Sequence, residues 1–255
     1  MSNYLIDLMT WSYSRLHAYH DCPYKFYLKY IERLEEKPMW FSGYGTLMHG
    51  ILADFYTEKL ARDEAELAYL SRFRREVPGR PPSPTIFQNY FQQGLAYCKA
   101  IQPLPYKILE VESNVRFELD GYRFTGFIDL LGVDDEGGLH IVDHKSRDLK
   151  PRSTRGKKTV ADRTLDEYLR QLYLYSIPVA TGYSRQPVDL VFNCFRKQNV
   201  IVEPFRAEGL EEAKVWALDT IHAIEKEKDW VPNCDPWKCR HLCGLCDQCE
   251  YSDIT

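Results

Sequence analysis

The sequence predicts an α/β fold in which a central mixed β-sheet is flanked by helices. Two observations carry this reading. Between residues 107 and 144, short apolar and partly β-branched runs are separated by turn chemistry, Asp134-Asp135-Glu136-Gly137-Gly138, whereas the segments before and after repeat their apolar residues at helical spacing. A helical stretch over 165–181 then precedes two further strand-like runs, so sheet and helices share one layered core.

The elements follow in order. A helix is predicted over 14–33, with Ser12 or Ser14 as its cap, and a second over 45–60, where Leu47, Met48, Ile51, Leu52 and Phe55 recur at helical spacing. Charged and apolar residues over 62–75 suggest a third. The run VPGRPPSP at 77–84 is a linker or sharp turn, because its prolines and glycine exclude regular structure, and a helix over 86–101 follows. Strands are predicted over 107–118, 123–133 and 139–144, then the helix over 165–181, strands over 188–196 and 200–205, and a helix over 210–228. There is no internal repeat and no low-complexity block. The chain reads as a single domain over 1–255: a helical part over 1–105, a core over 106–207, and a C-terminal helix with a cysteine-rich segment over 208–255.

The hairpin at 126–145, GFIDLLGVDDEGGLHIVDHK, carries the chemistry. It places Asp129 at one strand and an Asp143-His144-Lys145 triplet at the end of the next. Hydrolysing a phosphodiester requires a hard cation to polarise phosphoryl oxygens, and hard cations take carboxylate oxygens, which Asp129 and Asp143 can supply. A lysine ammonium can hold the attacking water and offset charge developing on phosphorus, a role for Lys145. Alternate residues of a strand share a face, so Asp143 and Lys145 point one way and His144 the other. An isolated Asp-X-Lys is ordinarily a charged strand end; the upstream Gly-X-Ile-Asp gives this one its weight. His49 lies beside the apolar stripe of its helix, which suits either a packed histidine or a metal ligand. Gln171 and Tyr175 are four apart and share one helix face. Glu112 reads as a solvated edge-strand charge.

Together, His49 in GTLMHGILADFY, Asp129 in Gly-X-Ile-Asp, Asp143 with Lys145, and Gln171 with Tyr175 in RQLYLYS resemble the RecB-type branch of the PD-(D/E)XK nuclease superfamily. That family runs through a helical histidine, Gly-X-Ile-Asp, Asp-X-Lys and Gln-X-X-X-Tyr in this order. The resemblance implies a restriction-endonuclease-like core and a Mg2+ or Mn2+ ion held by His49, Asp129, Asp143 and the backbone carbonyl of His144. It also implies that Lys145 positions water, that Gln171 and Tyr175 orient the lysine and the DNA backbone, and that Glu112 adds a carboxylate behind the ligands. Aspartate in Asp-X-Lys, where many members of the superfamily have glutamate, points to the RecB branch.

Cysteine gives a second signal. Of 8 cysteines, five fall between Asn233 and Glu250, while Cys22 stands in HDCPYKFYLKY. Such a cluster is a metal site or a disulfide staple. No secretory signal and no membrane-length apolar run is apparent, so a cytoplasmic setting with reduced thiols is expected, which favours metal. Thiolates suit zinc and an iron-sulfur cluster equally. The resemblance implies a 4Fe-4S cluster held by one cysteine before the nuclease core and three after it. Cys22 with Cys239, Cys243 and Cys249 fits most nearly, although the first downstream gap is one residue longer than the family's Cys-X2-Cys-X5-Cys. Cys246 is an alternate ligand, in a Cys243, Cys246 and Cys249 set, and Cys234 is a spare. Tying residue 22 to the far end of the chain would staple the terminal segments over the core.

The net charge of −4 argues against a uniformly basic nucleic-acid binder, yet cations concentrate in SRDLKPRSTRGKKTVADR, so that 145–163 can follow a phosphate backbone. Some of the 18 tyrosines can stack on unpaired bases. At 255 residues the chain is too short for a nuclease joined to a helicase, so a stand-alone nuclease is expected. The resemblance implies an exonuclease acting on single-stranded DNA ends, with protein partners in recombination, phage replication or CRISPR adaptation, and no membrane. The alternative is a non-catalytic nucleic-acid-binding or zinc-ribbon scaffold protein.

Overall fold

In a computed structural model of the chain, which describes residues 6–154 and 156–252, the mixed sheet is present. Arg155, one cation of the basic run, lies outside the described residues. The five strands are β1 Lys107–Leu119, β2 Tyr122–Val133, β3 Leu139–His144, β4 Asp189–Cys194 and β5 Asn199–Pro204, arranged in sequential order. Neighbours pair antiparallel except β3 with β4, which run parallel. A parallel pair needs a long crossover, and the helix Val160–Tyr183 supplies it.

β1 and β2 are joined through Asp120 and Gly121, whose φ values are 49° and 81°. Two consecutive left-handed residues match the twist of a tight hairpin, and Asp-Gly adopts them at little cost. β2 pairs with β3 only over Leu130–Val133. Beyond Leu130 the two strands part, leaving a fork whose prongs carry Asp129 and Asp143. The remainder of β2 is held by β1 and, at Phe124, by a bridge to Trp11.

Both faces of the sheet are covered. Ile128, Leu131, Ile141, Leu190 and Phe192 bury one face against α1 Tyr13–Asp21, the crossover helix and the helix Ala207–Lys226. Leu130, Val142 and Val191 bury the other against α3 Trp40–Tyr56, α4 Ala65–Glu76 and α5 Pro84–Ala100. In chain order the crossover helix is α6, the helix after β5 is α7, and the short Pro236–Leu242 is α8.

The predicted helix over 14–33 is broken. α1 stops at Asp21, Cys22 is extended (φ −164°, ψ 108°), and a new turn α2, Pro23–Phe26, begins and runs into a π-helical turn, Tyr27–Ile31. Proline pushes the residue before it out of the helical region and suits the first position of the next helix. Cys22 caps that turn, its sulfur accepting from the Lys25 amide at 3.4 Å. α3 starts at Trp40, five residues earlier than the periodicity suggests, because the Ser42 hydroxyl bonds back to the Met39 backbone. α6 likewise starts before 165: Thr159 accepts from the Asp162 amide, and Asp162 accepts from the Thr159 amide at 2.7 Å. Asp162 also accepts from the Ser153 amide at 2.7 Å, which ties the loop after β3 to the start of this helix.

Candidate active site

Two groups of side chains meet at the fork. The first is a triad: a ring nitrogen of His49 and carboxylate oxygens of Glu112 and Asp129 lie within 4.8 Å of one another. His49 comes from the middle of α3, Glu112 from β1 and Asp129 from β2. His49 Nδ1 is 3.5 Å from Asp129 and 3.8 Å from Glu112, while Nε2 is 2.9 Å from the carbonyl oxygen of His144. Burial disfavours a charged ring, but the facing carboxylates of Asp129 and Glu112 outweigh it and raise the His49 pKa to about 10. Asp129 is held below the usual carboxylate range: burial opposes ionisation, and His49 together with the His144 amide, donating at 2.7 Å, overcomes it. Glu112 has φ 48°, a left-handed conformation unusual for a non-glycine residue inside a strand. It is partly exposed, as an edge-strand charge would be, and also faces the other two ligating groups.

The second group is a relay of hydrogen bonds. Lys145 Nζ is 2.6 Å from Asp143 Oδ2 and donates to Gln171 Oε1 at 3.3 Å; Gln171 Nε2 donates to the Tyr175 hydroxyl at 3.4 Å. Burial penalises the charged lysine, yet Asp143 more than compensates and raises its pKa, so the side chain is an ammonium. Burial and the charge of Asp129 raise the pKa of Asp143 in turn. The Lys145 ammonium also sits 5.4 Å from the centre of the Tyr168 ring, which Arg147 approaches at 5.7 Å.

The structure thus brings His49, Asp129 and the His144 carbonyl together and joins Asp143, Lys145, Gln171 and Tyr175; Asp143 lies outside the triad. The His144 ring turns away, stacked on Tyr56 at 5.9 Å and 3.1 Å from Asn193, with its pKa lowered to about 4 by burial. Gly126 has a role that the sequence reading missed. A Cβ there would lie 2.4 Å from the Tyr175 ring. Only glycine lets Tyr175 lie against β2, and its place at the head of Gly-X-Ile-Asp was the available signal.

Two carboxylates and an imidazole nitrogen at one point, with the His144 carbonyl on the other ring nitrogen, are donors that a hard divalent cation accepts, so the residues fit such an ion. The triad opens to solvent along a groove lined by Gly45, Thr46, Gly50 and Ala53 of α3.

The cysteines converge elsewhere. Cys22, Cys234, Cys239, Cys243, Cys246 and Cys249 line one cavity of about 410 Å3, whereas Cys98 and Cys194 are buried in the two cores. Arg147 and Tyr168 form part of the same wall, so the cavity adjoins the Lys145 relay. The terminal segments are packed together around it. The Lys37 amide donates to Gly244 O at 2.9 Å, Gln248 Nε2 to Glu35 O at 3.1 Å, and the Tyr24 hydroxyl to Glu250 at 2.7 Å. Soft thiolates in a space of this size fit a thiolate-bound metal group.

Comparison with known proteins agrees with this architecture. The family model of the PD-(D/E)XK nuclease superfamily matches residues 10–254. An ATP-dependent helicase/deoxyribonuclease subunit of Streptococcus uberis is 28% identical over 153 residues, covering 53% of this chain and 14% of that protein. The ATP-dependent helicase/deoxyribonuclease subunit of the same name from Carboxydothermus hydrogenoformans is 27% identical over 174 residues, covering 54% and 16%. The chain therefore matches a small part of the length of these relatives. A solved structure described as an exonuclease from Eubacterium rectale has the same fold, with a TM-score of 0.53 at 12% identity over 91% of this chain and 88% of the other.

Proposed function

The chain belongs to the PD-(D/E)XK nuclease superfamily, and from that premise we propose that it is a Mg2+- or Mn2+-dependent deoxyribonuclease that degrades DNA from single-stranded ends. The observation that carries the reading is the meeting of the His49, Glu112 and Asp129 triad with the Asp143–Lys145 pair at the fork between β2 and β3. A hard-cation site beside a buried ammonium is the pairing that phosphodiester hydrolysis requires.

His49, Glu112 and Asp129 would hold the ion, with Asp143 and the His144 carbonyl beside them. Such an ion supplies Lewis acidity toward the phosphoryl oxygens and makes hydroxide available near neutral pH. Lys145, kept charged by Asp143, donates hydrogen bonds to the attacking water and offsets the negative charge that develops on phosphorus. Gln171 fixes where that ammonium points, and Tyr175 fixes Gln171. Asp129 accepts from the His144 amide, which keeps the strand beyond the fork in place.

At the other site we propose a 4Fe-4S cluster on Cys22, Cys239, Cys243 and Cys249, with Cys246 as alternate ligand, acting as a cross-link between the two ends of the chain. The convergence of six thiols on one cavity supports it. A role in recombination, phage replication or CRISPR adaptation, with protein partners there, is part of this proposal. Among the described residues no helix is long and apolar enough to cross a membrane.

End-labelled single-stranded DNA digested with Mg2+ or Mn2+ tests the catalytic reading. Wild type is expected to shorten the label stepwise. Asp143→Ala should abolish this, and Lys145→Ala should lower kcat on the order of 100- to 1000-fold, as for loss of one donor to a developing charge. Unchanged cleavage by Asp143→Ala removes the mechanism.

A further inference from the structure

The outer half of the β1–β2 ribbon leaves the sheet at the fork, and one of its faces is bare. Asp129 and Glu112 lie between the paired Val111–Leu130 and Ser113–Ile128; moving away from them, the cross-strand partners are Asn114 with Phe127, Arg116 with Thr125, and Glu118 with Arg123. Along β2 the even-numbered Phe124, Gly126 and Ile128 are buried while the odd-numbered Arg123 and Phe127 are exposed; along β1, Glu112, Asn114, Arg116 and Glu118 are exposed. The exposed face is thus a track that starts at the triad.

Phe127 stands on this track with 55% of its surface exposed, two residues before Asp129. A singly exposed apolar residue is ordinary on a protein surface. Three features separate this one from that background. The residue before it, Gly126, lies against the Tyr175 ring, so the backbone beneath it belongs to the active site. Its cross-strand partner Asn114 is two residues from Glu112 of the triad, and both are exposed, so Phe127 stands on the bared face next to the triad. The next position on the track across the ribbon is Arg116, an exposed cation whose side chain makes no hydrogen bond or ion pair among the described residues.

Resting on the nuclease reading above, we infer that Phe127 is a specificity-determining residue: it stacks on an unpaired base of the substrate strand next to the bond being cleaved, and Arg116 takes a phosphate of the same strand. A base offers its face to a side chain only when it is out of a duplex, so a stacking ring at this place favours single-stranded over paired DNA. The guanidinium contributes attraction with no sequence preference. Glu118, farther out and opposite Arg123, limits how far along the ribbon a polyanion is held.

The test uses the full chain with divalent cation chelated, so that binding is read without cleavage. Fluorescence anisotropy gives affinity for a single strand and for the blunt duplex of the same sequence, and 2-aminopurine at the strand terminus reports stacking. Phe127→Ala is expected to weaken single-strand binding about tenfold and to abolish 2-aminopurine quenching, with duplex binding unchanged. Phe127→Trp should retain both, and Arg116→Ala should reduce the salt dependence by about one phosphate contact. Equal losses for single strand and duplex overturn the stacking role. So does an unchanged Phe127→Ala when wild type cleaves with Mg2+ restored. Absence of cleavage by wild type overturns the nuclease reading and this inference with it.

Discussion

The fork and the cysteine-lined end both gather ligating side chains from distant parts of the chain, and they hold them by different means. At the fork the carriers are strands and long helices seated in a core: Leu130, Val142, Met48 and Leu52, neighbours of the site residues, are wholly buried. At the other end the carriers are α2, of four residues, and α8, of seven with none buried. Elements this short do not sustain themselves in water. Their segments touch mainly through polar and ring contacts, among them the Lys37–Asp247 ion pair, the Tyr24–Glu250 and Gln248–Glu35 hydrogen bonds and the Tyr24–Tyr251 ring contact at 4.8 Å, with Leu245 the residue buried between the cysteines. The fork is therefore held by the core, whereas the cysteine end has short elements and would lean on the proposed cluster.

The largest effect that separates the two is Cys22→Ala. Removing the upstream thiol opens a loop that spans most of the chain, and loop-closure entropy of that size is worth on the order of 4 kcal/mol. We expect loss of the brown chromophore and of iron with acid-labile sulfide in anaerobically purified protein, with a marked fall in Tm. The sheet should keep its circular dichroism at low temperature. Full visible absorbance in the mutant, or one zinc per chain in wild type, overturns the cluster assignment.

Gly126→Ala breaks the fork instead. The added methyl would lie 2.4 Å from Tyr175 Cε1, so the ring must shift, and Gln171 and Lys145 follow it. Overpacking of this kind costs about 1–3 kcal/mol. The expected signature is a fall in kcat larger than any change in KM, with iron content untouched. Equal kcat in the mutant would mean that Tyr175 does not position the lysine.

The same contrast explains what was legible in the sequence. The period of two along a strand fixed Asp143 and Lys145 on one side and His144 on the other, and β3 has the bounds that its apolar run predicts. Pro23 was visible, but the periodicity on both sides of it read through as one helix; the break that turns Cys22 toward the cavity is a local steric effect that an amphipathic pattern does not record. Thr159 and Asp162 form a readable Thr-X-X-Asp cap, outweighed by the apolar start at Leu165. Glu112 was readable only as an edge-strand charge or, through the resemblance, as a carboxylate behind the ligands: its place in the triad follows from α3 packing over β1 and from its own left-handed backbone, both tertiary facts. Nor was the choice among cysteines, because six thiols share one wall and chain spacing does not rank them.

The last difference between the two regions is a proton. In the cation-free protein His49 holds its charge up to about pH 10 because Asp129 and Glu112 face it. Since its ordinary value is about 6.5, this interaction stabilises the fold fully below that pH and is lost as the pH rises through about 10. A cation needs the neutral ring, so it displaces the proton, and its affinity must climb over the same interval. Two slopes of opposite sign follow between pH 6.5 and 10: Tm of cation-free protein falls, and the increase in Tm on adding Mn2+ grows. Calorimetric titration of Mn2+ at pH 7.5 in buffers of different ionisation enthalpy should show release of about one proton per site. His49→Gln should bind Mn2+ without that release. If wild type releases none, His49 is either neutral beforehand or outside the ligand set, and the fork would then be preorganised by Asp129 and Glu112 alone.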